Sequence, residues 1–360
     1  MTEDHLRVAM VSSGIGTSTG GVGSYVFNLA QALRELGHCV TVTRAFCSPR
    51  TPFLKTILYN AQCMSLARCP RDTVLHCNTY DGSLIPRRRT YAFVTTVHGV
   101  VADEVGYFRK FRDRVLTRAL ARLEALSCRR ADYCTAVSEY SRRRAADLYS
   151  LDPSRIAVVP ACVDLVRFKP AEQVDSPIHS SCSKSILFVG RIYRRKGLEV
   201  LVRAMSVLRQ PDVTLRIIGS GPDQPRIERI VRGLRLSKQV HFLGNVSSEQ
   251  LVRYYQTSTV VCIPSLQEGL SIVALEAQAC GVSVVATRAG GLPEAVADER
   301  LLVSPGDPHE LAVALEGVLG DGSPRNHLQR MSREFVKKNF NPSRISRRME
   351  AVYRGALSKN

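Results

Sequence analysis

Residues Val260 to Thr287 run VVCIPSLQEGLSIVALEAQACGVSVVAT. The two ends, VVCI and VSVVAT, are short β-branched apolar runs of the kind that form strands buried on both faces. Between them Ser271 stands where a helix N-cap is wanted, and Gly281 stands where a helix stops. The stretch therefore predicts strand, loop, a helix from Ser271 to Cys280, and strand, the repeating unit of a parallel sheet covered by helices. It also sets two carboxylates, Glu268 and Glu276, eight residues apart with almost only apolar residues between them. Surface helices ordinarily pair their acids with Lys or Arg three or four positions away, and this one does not.

The same alternation extends outward in both directions. LLVSP and further helical pattern follow it; SILFVGR, the helix GLEVLVRAMSVL, VTLRIIG and VHFLG precede it. A second series occupies the first half: LRVAMVSS, a Gly-rich loop, a helix in YVFNLAQALREL stopped by Gly37, CVTVT, DTVLHCN, RTYAFVTTVHG, a long basic helical stretch, ADYCTAVS and IAVVPAC. KPAEQVDSPIHSSCSKS, rich in Pro and Ser and without period, separates the two. With 360 residues the chain is too long for one ordinary core. The expected fold class is α/β, with two Rossmann-like domains, residues 1–167 and 185–340. A linker at 168–184 joins them, and a C-terminal helix at 341–360 is expected to cross back to the first domain. Ligands of such sheets bind beyond the C-terminal ends of the strands, so the site is expected in a cleft across which the two sheets face each other.

Composition narrows the function. An apolar fraction of 44% is that of a globular protein. No run approaches about 18 consecutive apolar residues, so no membrane-spanning helix is expected. The start, MTEDHLRVAMVSS, carries acids where a signal peptide needs a basic segment, which predicts a cytoplasmic protein. None of the 11 cysteines forms a C-x-x-C pair; Cys39, Cys134 and Cys262 lie in apolar runs and are expected to be small buried hydrophobes. The net charge of +18 is densest at Arg87 to Arg89 and from Arg109 to Arg144. It fits a solvated Arg-rich surface, a phosphorylated substrate, or peripheral association with the anionic inner face of a membrane. Zinc-finger spacings, an RNP-like aromatic strand and tryptophan are all missing, so nucleic acid is not the expected partner.

The motifs fall at strand ends. GIGTSTGGVG, Gly14 to Gly23, lies between a strand and a helix, where backbone N–H groups can meet a phosphate or sugar. It is no dinucleotide fingerprint, because Thr19 stands where a third glycine is needed and the second strand ends in Thr43-Arg44 with no acid; a plain tight turn is the competing explanation. His98 sits just past a strand beside Gly99, either a satisfied structural histidine or a site residue. In VGRIYRRKG, Arg191 and Lys196 offer a planar fork and a point charge suited to a diphosphate; a solvated basic loop is the plainer explanation, and Arg194 and Arg195 are expected to be only that. Gly219, Gly221 and Gly244 close successive strands and suggest that backbone lines a flat ligand such as a base. Glu276 lies about 7–8 Å along its helix at 1.5 Å per residue. Between Glu268 and Glu276 lies a helix N-terminus with free N–H groups and the positive end of the dipole. Carboxylate, anion site and carboxylate match sugar, diphosphate and ribose, since each carboxylate accepts from two neighbouring hydroxyls. The alternative, two unrelated surface acids, leaves AGGLPEAV at Ala289 to Val296 unexplained.

Together Gly20-Gly21, His98-Gly99, ADYCTAVS, VVPACVDLVRF, VGRIYRRKG, FLGNV, the Pro264–Thr287 stretch and GGLPE resemble the retaining glycosyltransferases of family 4, which have the GT-B fold. The resemblance implies that Arg191 and Lys196 hold a donor diphosphate, with Gly20 and Gly21 near the phosphates. It implies that Glu268 binds donor-sugar hydroxyls beside the Gly269, Leu270 and Ser271 amides, that Glu276 binds ribose, and that backbone at Gly219 and near Val246 meets the base. His98 would contact the sugar at its reacting face, completing a catalytic set with Glu268, Arg191 and Lys196. It implies no metal and no obligatory cofactor, a nucleoside-diphosphate sugar as co-substrate, and a sugar, lipid-linked or small-molecule acceptor. Ser271 stands where such enzymes often have Gly, and Leu270 where Phe is common, so the sugar pocket departs from the pattern. A sugar-nucleotide epimerase of the same architecture would need acid–base pairs that these motifs do not supply.

Overall fold

The computed structural model describes residues 5–12, 20–44, 70–171, 184–320 and 325–359. Gly14, Gly16 and Thr19 of the Gly-rich loop and residues 172–183 of the linker lie outside them. The chain forms two compact units, Met1–Cys162 with Pro342–Asn360, and Val163–Asn341.

The first unit is a six-stranded parallel sheet of β1 (Arg7–Ser12), β2 (Cys39–Arg44), β3 (Thr73–Asn78), β4 (Ala92–Val97), β5 (Tyr133–Ala136) and β6 (Ile156–Val158), in the order β2-β1-β3-β4-β5-β6. Every residue of the central strands β3 and β4 is buried, because helices cover both faces. Strand β2 is an edge, which leaves Cys39 exposed rather than buried as its apolar neighbours suggest; Cys134 and Cys262 are buried. Helix α1 (Gly21–Glu35) follows β1 and ends before Gly37, whose φ of 90° only glycine adopts readily. The four-residue α2 (Val101–Glu104) follows β4, and α3 (Phe111–Arg130) and α4 (Glu139–Tyr149) flank β5.

The C-terminal helix Pro342–Leu357 belongs to this first unit, packed against α1, β3 and β4. Its buried Ile345, Met349, Tyr353 and Ala356 recur at helical spacing on one face. Tyr353 Oη lies 2.7 Å from His76 Nδ1, and His76 Nε2 lies 2.7 Å from Thr96 Oγ1, so the helix is tied into the sheet by a buried polar chain.

The second unit holds β7 (Ser185–Val189), β8 (Thr214–Ile218), β9 (Val240–Gly244), β10 (Val260–Ile263), β11 (Ser283–Thr287) and β12 (Leu302–Val303), all parallel, in the order β12-β11-β10-β7-β8-β9. Strand order reverses between β7 and β10, the crevice where doubly wound sheets place ligands. Its helices include α5 (Leu198–Leu208), α6 (Gln224–Gly233), α7 (Ser248–Thr257), α8 (Ile272–Ala279) and the short α9 (Leu292–Ala295). This unit begins at Val163, before the expected boundary at residue 167. Val163 N donates to Phe340 O at 3.2 Å, and the buried Phe168 packs edge-on to Tyr255, so the segment ahead of the linker is anchored to the second core.

Candidate functional site

The loops leaving β7 and β10 interlock at the switch point. The backbone after β7 passes through a single 3-10 turn, Arg194–Lys196, and enters α5 through Gly197 at φ 67°. A Cβ on Gly197 would stand 1.8 Å from Pro264 O, so only glycine lets the two loops meet. Leu266 N donates to Arg195 O at 2.7 Å, and Arg195 Nη1 donates to Gln267 O at 3.3 Å. From the other side Gly290, at φ 61°, brings its Cα so close that a Cβ would lie 2.0 Å from Glu268 O, while Gly291 N donates to that oxygen at 3.0 Å. Residues 264–268 are thus held between two glycine backbones, which accounts for the glycine of RRKG and the first glycine of AGG.

That clamp aims Glu268. Its carboxylate, 6% exposed, touches Lys196 Nζ through Oε1 and accepts from Ser265 Oγ at 3.0 Å on the same oxygen. Arg195 Nη1 stands 3.6 Å from the other oxygen, Oε2. Burial alone would push this carboxyl up, but Lys196 and Arg195 outweigh it and hold the group below the ordinary glutamate range. Glu268 and Lys196, expected to grip different parts of one ligand, therefore pair with each other. Arg191 is exposed, its guanidinium 4.7 Å over the Tyr193 ring with Nη2 donating to Tyr193 Oη at 2.7 Å. Among the described residues no carboxylate lies within ion-pair distance of Arg191.

Ser271 caps α8, accepting from Ala274 N at 3.3 Å. Gly269 is buried and Leu270 half-buried in the loop before it. Glu276 is 5% exposed and accepts a hydrogen bond from Tyr255 Oη at 2.9 Å. Burial pushes its carboxyl up to about 7, against the opposing pull of that hydrogen bond and of Arg167. Gly219 N donates to Gly244 O at 2.7 Å, which joins the ends of β8 and β9, and Val246 is half-buried in the loop after β9.

In the first unit His98 follows β4, half-buried, with its ring edge-on to Tyr25 at 4.5 Å. Tyr25 lies one turn into α1, whose N-terminus carries Gly20 and Gly21; both are exposed, and a Cβ on either would meet nothing within 4 Å. Asn78 Nδ2 donates to Val11 O at 2.9 Å, which turns Asn78 Oδ1 toward His98 Nε2 at 2.7 Å. His98 Nε2 therefore carries the proton and Nδ1 keeps its lone pair. Burial, with His76 nearby, lowers the imidazole pKa, so the ring is neutral at pH 7.

Reasoning from the residues alone missed Arg195, Ser265, Tyr255 and Asn78. Nothing in RRK separates Arg195 from Arg194, whereas in the structure its side chain is 27% exposed and faces Glu268. The basic stretches of the first unit are partly structural as well. Arg89 pairs with Asp132 at 2.5 Å, Arg142 pairs with Glu139 at 2.8 Å, and Arg144 pairs with Asp103. Arg109, Lys110, Arg112, Arg114, Arg118 and Arg122 remain exposed, together with Phe111 at 77% and Val115 at 46%. Among the described residues no group of three or more His, Cys, Asp or Glu could hold a metal ion, and no helix is long and apolar enough to cross a membrane.

Residues 172–335 match the family model "Glycosyl transferases group 1", and residues 19–167 match "Glycosyltransferase Family 4". The chain is 27% identical over 387 residues to a phosphatidylinositol N-acetylglucosaminyltransferase subunit from Arabidopsis thaliana, covering 98% of this chain and 82% of that one. It is 36% identical over 208 residues to D-inositol 3-phosphate glycosyltransferase 2 of Catenulispora acidiphila, covering 52% of this chain and 48% of the relative. Among solved structures it resembles sucrose-phosphate synthase from Thermosynechococcus elongatus, with a TM-score of 0.81, 24% identity, and 99% and 100% of the two chains covered. It also resembles Anabaena HepE in complex with UDP and glucose, with a TM-score of 0.76, 18% identity, and 97% and 99% covered.

Proposed function

Because this chain belongs to the glycosyltransferases, with the GT-B fold and both halves matched by glycosyltransferase models, we propose that it moves a sugar from a nucleoside-diphosphate sugar to an acceptor hydroxyl with retention at the anomeric carbon. The observation that carries this reading is the cluster at the switch point of the second unit. A charged, buried Glu268 stands there beside Lys196 and ahead of the N-terminus of α8, with Arg191 free of any described carboxylate.

Arg191, Lys196 and the α8 N-terminus hold the diphosphate and stabilise charge as it departs. Glu268 accepts hydrogen bonds from sugar hydroxyls, and Glu276 from ribose. Within the first unit the neutral His98 offers Nδ1 as an acceptor. The bond from the anomeric carbon to the diphosphate oxygen breaks with its electron pair leaving on that oxygen. The acceptor oxygen attacks from the same face, and its proton passes to the departing diphosphate. The chain's own cations do this work, so no obligatory metal is required and activity is expected to persist in chelator.

Two relatives bear names with inositol phosphate or phosphatidylinositol, and the first unit is basic. An inositol-bearing phosphorylated acceptor is accordingly the class to try first, with a UDP-sugar as the first donor. On α3, Phe111, Val115, Arg118 and Arg122 share one face at helical spacing and are exposed, which supports peripheral docking on an anionic membrane at the cytoplasmic side. A panel of UDP-, GDP- and ADP-sugars, each with inositol phosphate or phosphatidylinositol, tests the reading, with the anomeric configuration of the product followed by NMR. If no donor is consumed and no nucleoside diphosphate raises the melting temperature, the reading is wrong.

A further inference from the structure

Glu268 has two cations where one would neutralise it, and they sit on different oxygens. Lys196 and Ser265 meet Oε1, and Arg195 faces Oε2 at 3.6 Å. If Lys196 serves a donor diphosphate, its charge is shared with or drawn away to the phosphates when the donor arrives, and Glu268 loses part or all of that partner. A carboxylate that is 6% exposed cannot then rely on water for its charge. Left without a cation it would take up a proton and lose half its capacity to accept hydroxyl hydrogen bonds.

Resting on the donor-site reading above, we propose that Arg195 is a positioning residue of that site: it is the cation that stays with Glu268 when Lys196 is drawn to the diphosphate. The attachments of the two cations differ in the way this exchange requires. Arg195 is fastened to the loop that carries Glu268, accepting from Leu266 N at 2.7 Å through its backbone oxygen and donating to Gln267 O at 3.3 Å through Nη1. It moves with Glu268. Lys196 is tied to that carboxylate only through the end of a flexible side chain, and its ammonium is a point charge that can swing to another anion. Among the described residues the groups that act on the Glu268 carboxyl are Lys196, Arg195 and the hydroxyl of Ser265, so removing Arg195 leaves no second cation in reserve.

A loop-anchoring role through Gln267 O is the competing explanation, and it predicts a loss of stability without a change in the titration of Glu268. The test compares Arg195→Gln and Arg195→Lys with the wild type, first by the pH dependence of kcat with the nucleotide-sugar donor, then by NMR titration of the Glu268 carboxyl in glutamate-labelled protein with and without saturating UDP. Arg195→Gln is expected to move the acid limb of kcat upward by about one pH unit, which approaches tenfold in rate only at pH values below both limbs. UDP affinity is expected to stay within about threefold, and the titration shift to be larger with UDP bound than without. Arg195→Lys is expected to restore the limb. An unmoved acid limb and an unmoved carboxyl titration in Arg195→Gln overturn the role of Arg195 alone. A wild type that neither binds UDP nor consumes any donor overturns the donor-site reading, and the role of Arg195 with it.

Discussion

Exchanging each of the two acids for its amide separates the two ends of the donor. Glu268 holds Lys196, the residue proposed to meet the diphosphate. An ammonium and a carboxylate about 4 Å apart attract by about 4 kcal/mol gross at an effective dielectric of about 20. Desolvation opposes most of it, so the net tie is on the order of 1–2 kcal/mol. Glu268→Gln releases Lys196 from that tie. Free UDP is therefore expected to bind the variant as well as the wild type, or up to about tenfold tighter. Turnover of the sugar donor is expected to fall about ten- to a hundredfold, the equivalent of one charge-assisted hydrogen bond of about 1.5–3 kcal/mol lost at the reacting sugar. Glu276→Gln behaves in the opposite way. Its proposed contact is with ribose, present in UDP and donor alike, so it is expected to weaken both by about tenfold or more at pH 8. Because burial raises the Glu276 carboxyl to about 7, the wild type itself is expected to lose UDP affinity as pH falls through 7, while Glu276→Gln stays flat. Calorimetry with UDP from pH 6 to 8, paired with donor turnover, reads both effects. Loss of UDP affinity in Glu268→Gln with none in Glu276→Gln would refute the orientation given to the donor.

Gly290→Ala must adopt φ 61°, at a cost of about 1–2 kcal/mol, and force its Cβ off Glu268 O, 2.0 Å away. A loss of at least about 2–3 kcal/mol in urea denaturation is expected, with turnover falling more than UDP affinity; a stable, fully active variant would contradict the clamp. Tyr353→Phe leaves buried His76 Nδ1 without its partner and is expected to cost about 1–3 kcal/mol, read as a lower melting temperature. Vesicles rich in anionic lipid are expected to carry the protein upward on flotation at low salt and to release it at high salt, with Phe111→Ser and Val115→Ser weakening the association; no flotation at low salt excludes membrane docking.

Much of the fold was legible because both sheets are covered on both faces, which writes each strand as a continuous apolar run. The cap at Ser271 and the helix from Pro342 to Leu357 were equally plain, since caps and helical spacing are local signals. Strand order is not local, and that is why Cys39 was misjudged: nothing in CVTVT tells an edge strand from a central one. The start of the second unit at Val163 was hidden for a similar reason, since Phe168 owes its burial to Tyr255, far along the chain. The site was half legible. Residue types at strand ends pointed to Glu268, Lys196 and Arg191, but the direction of a side chain leaving a 3-10 turn depends on the loop it meets. Arg194 and Arg195 are adjacent and chemically identical, and only the contact with Gln267 and Glu268 tells them apart.

The two acids that stand eight residues apart are nearly equally buried, at 6% and 5% exposure, so burial cannot be what distinguishes them. Their neighbours do. Glu268 faces Lys196 and Arg195 and stays charged, whereas Glu276 faces the hydroxyl of Tyr255 and sits near half-protonation at neutral pH. A charged carboxylate whose own lysine can be drawn away is suited to a sugar whose hydroxyls must be gripped hardest as the bond to phosphate breaks. A carboxyl braced by a tyrosine and indifferent to the leaving group is suited to ribose, which is the same before and after transfer. The spacing is common to both residues, and the difference in charge between them comes from the elements around them, which set two cations against one carboxylate and a tyrosine hydroxyl against the other.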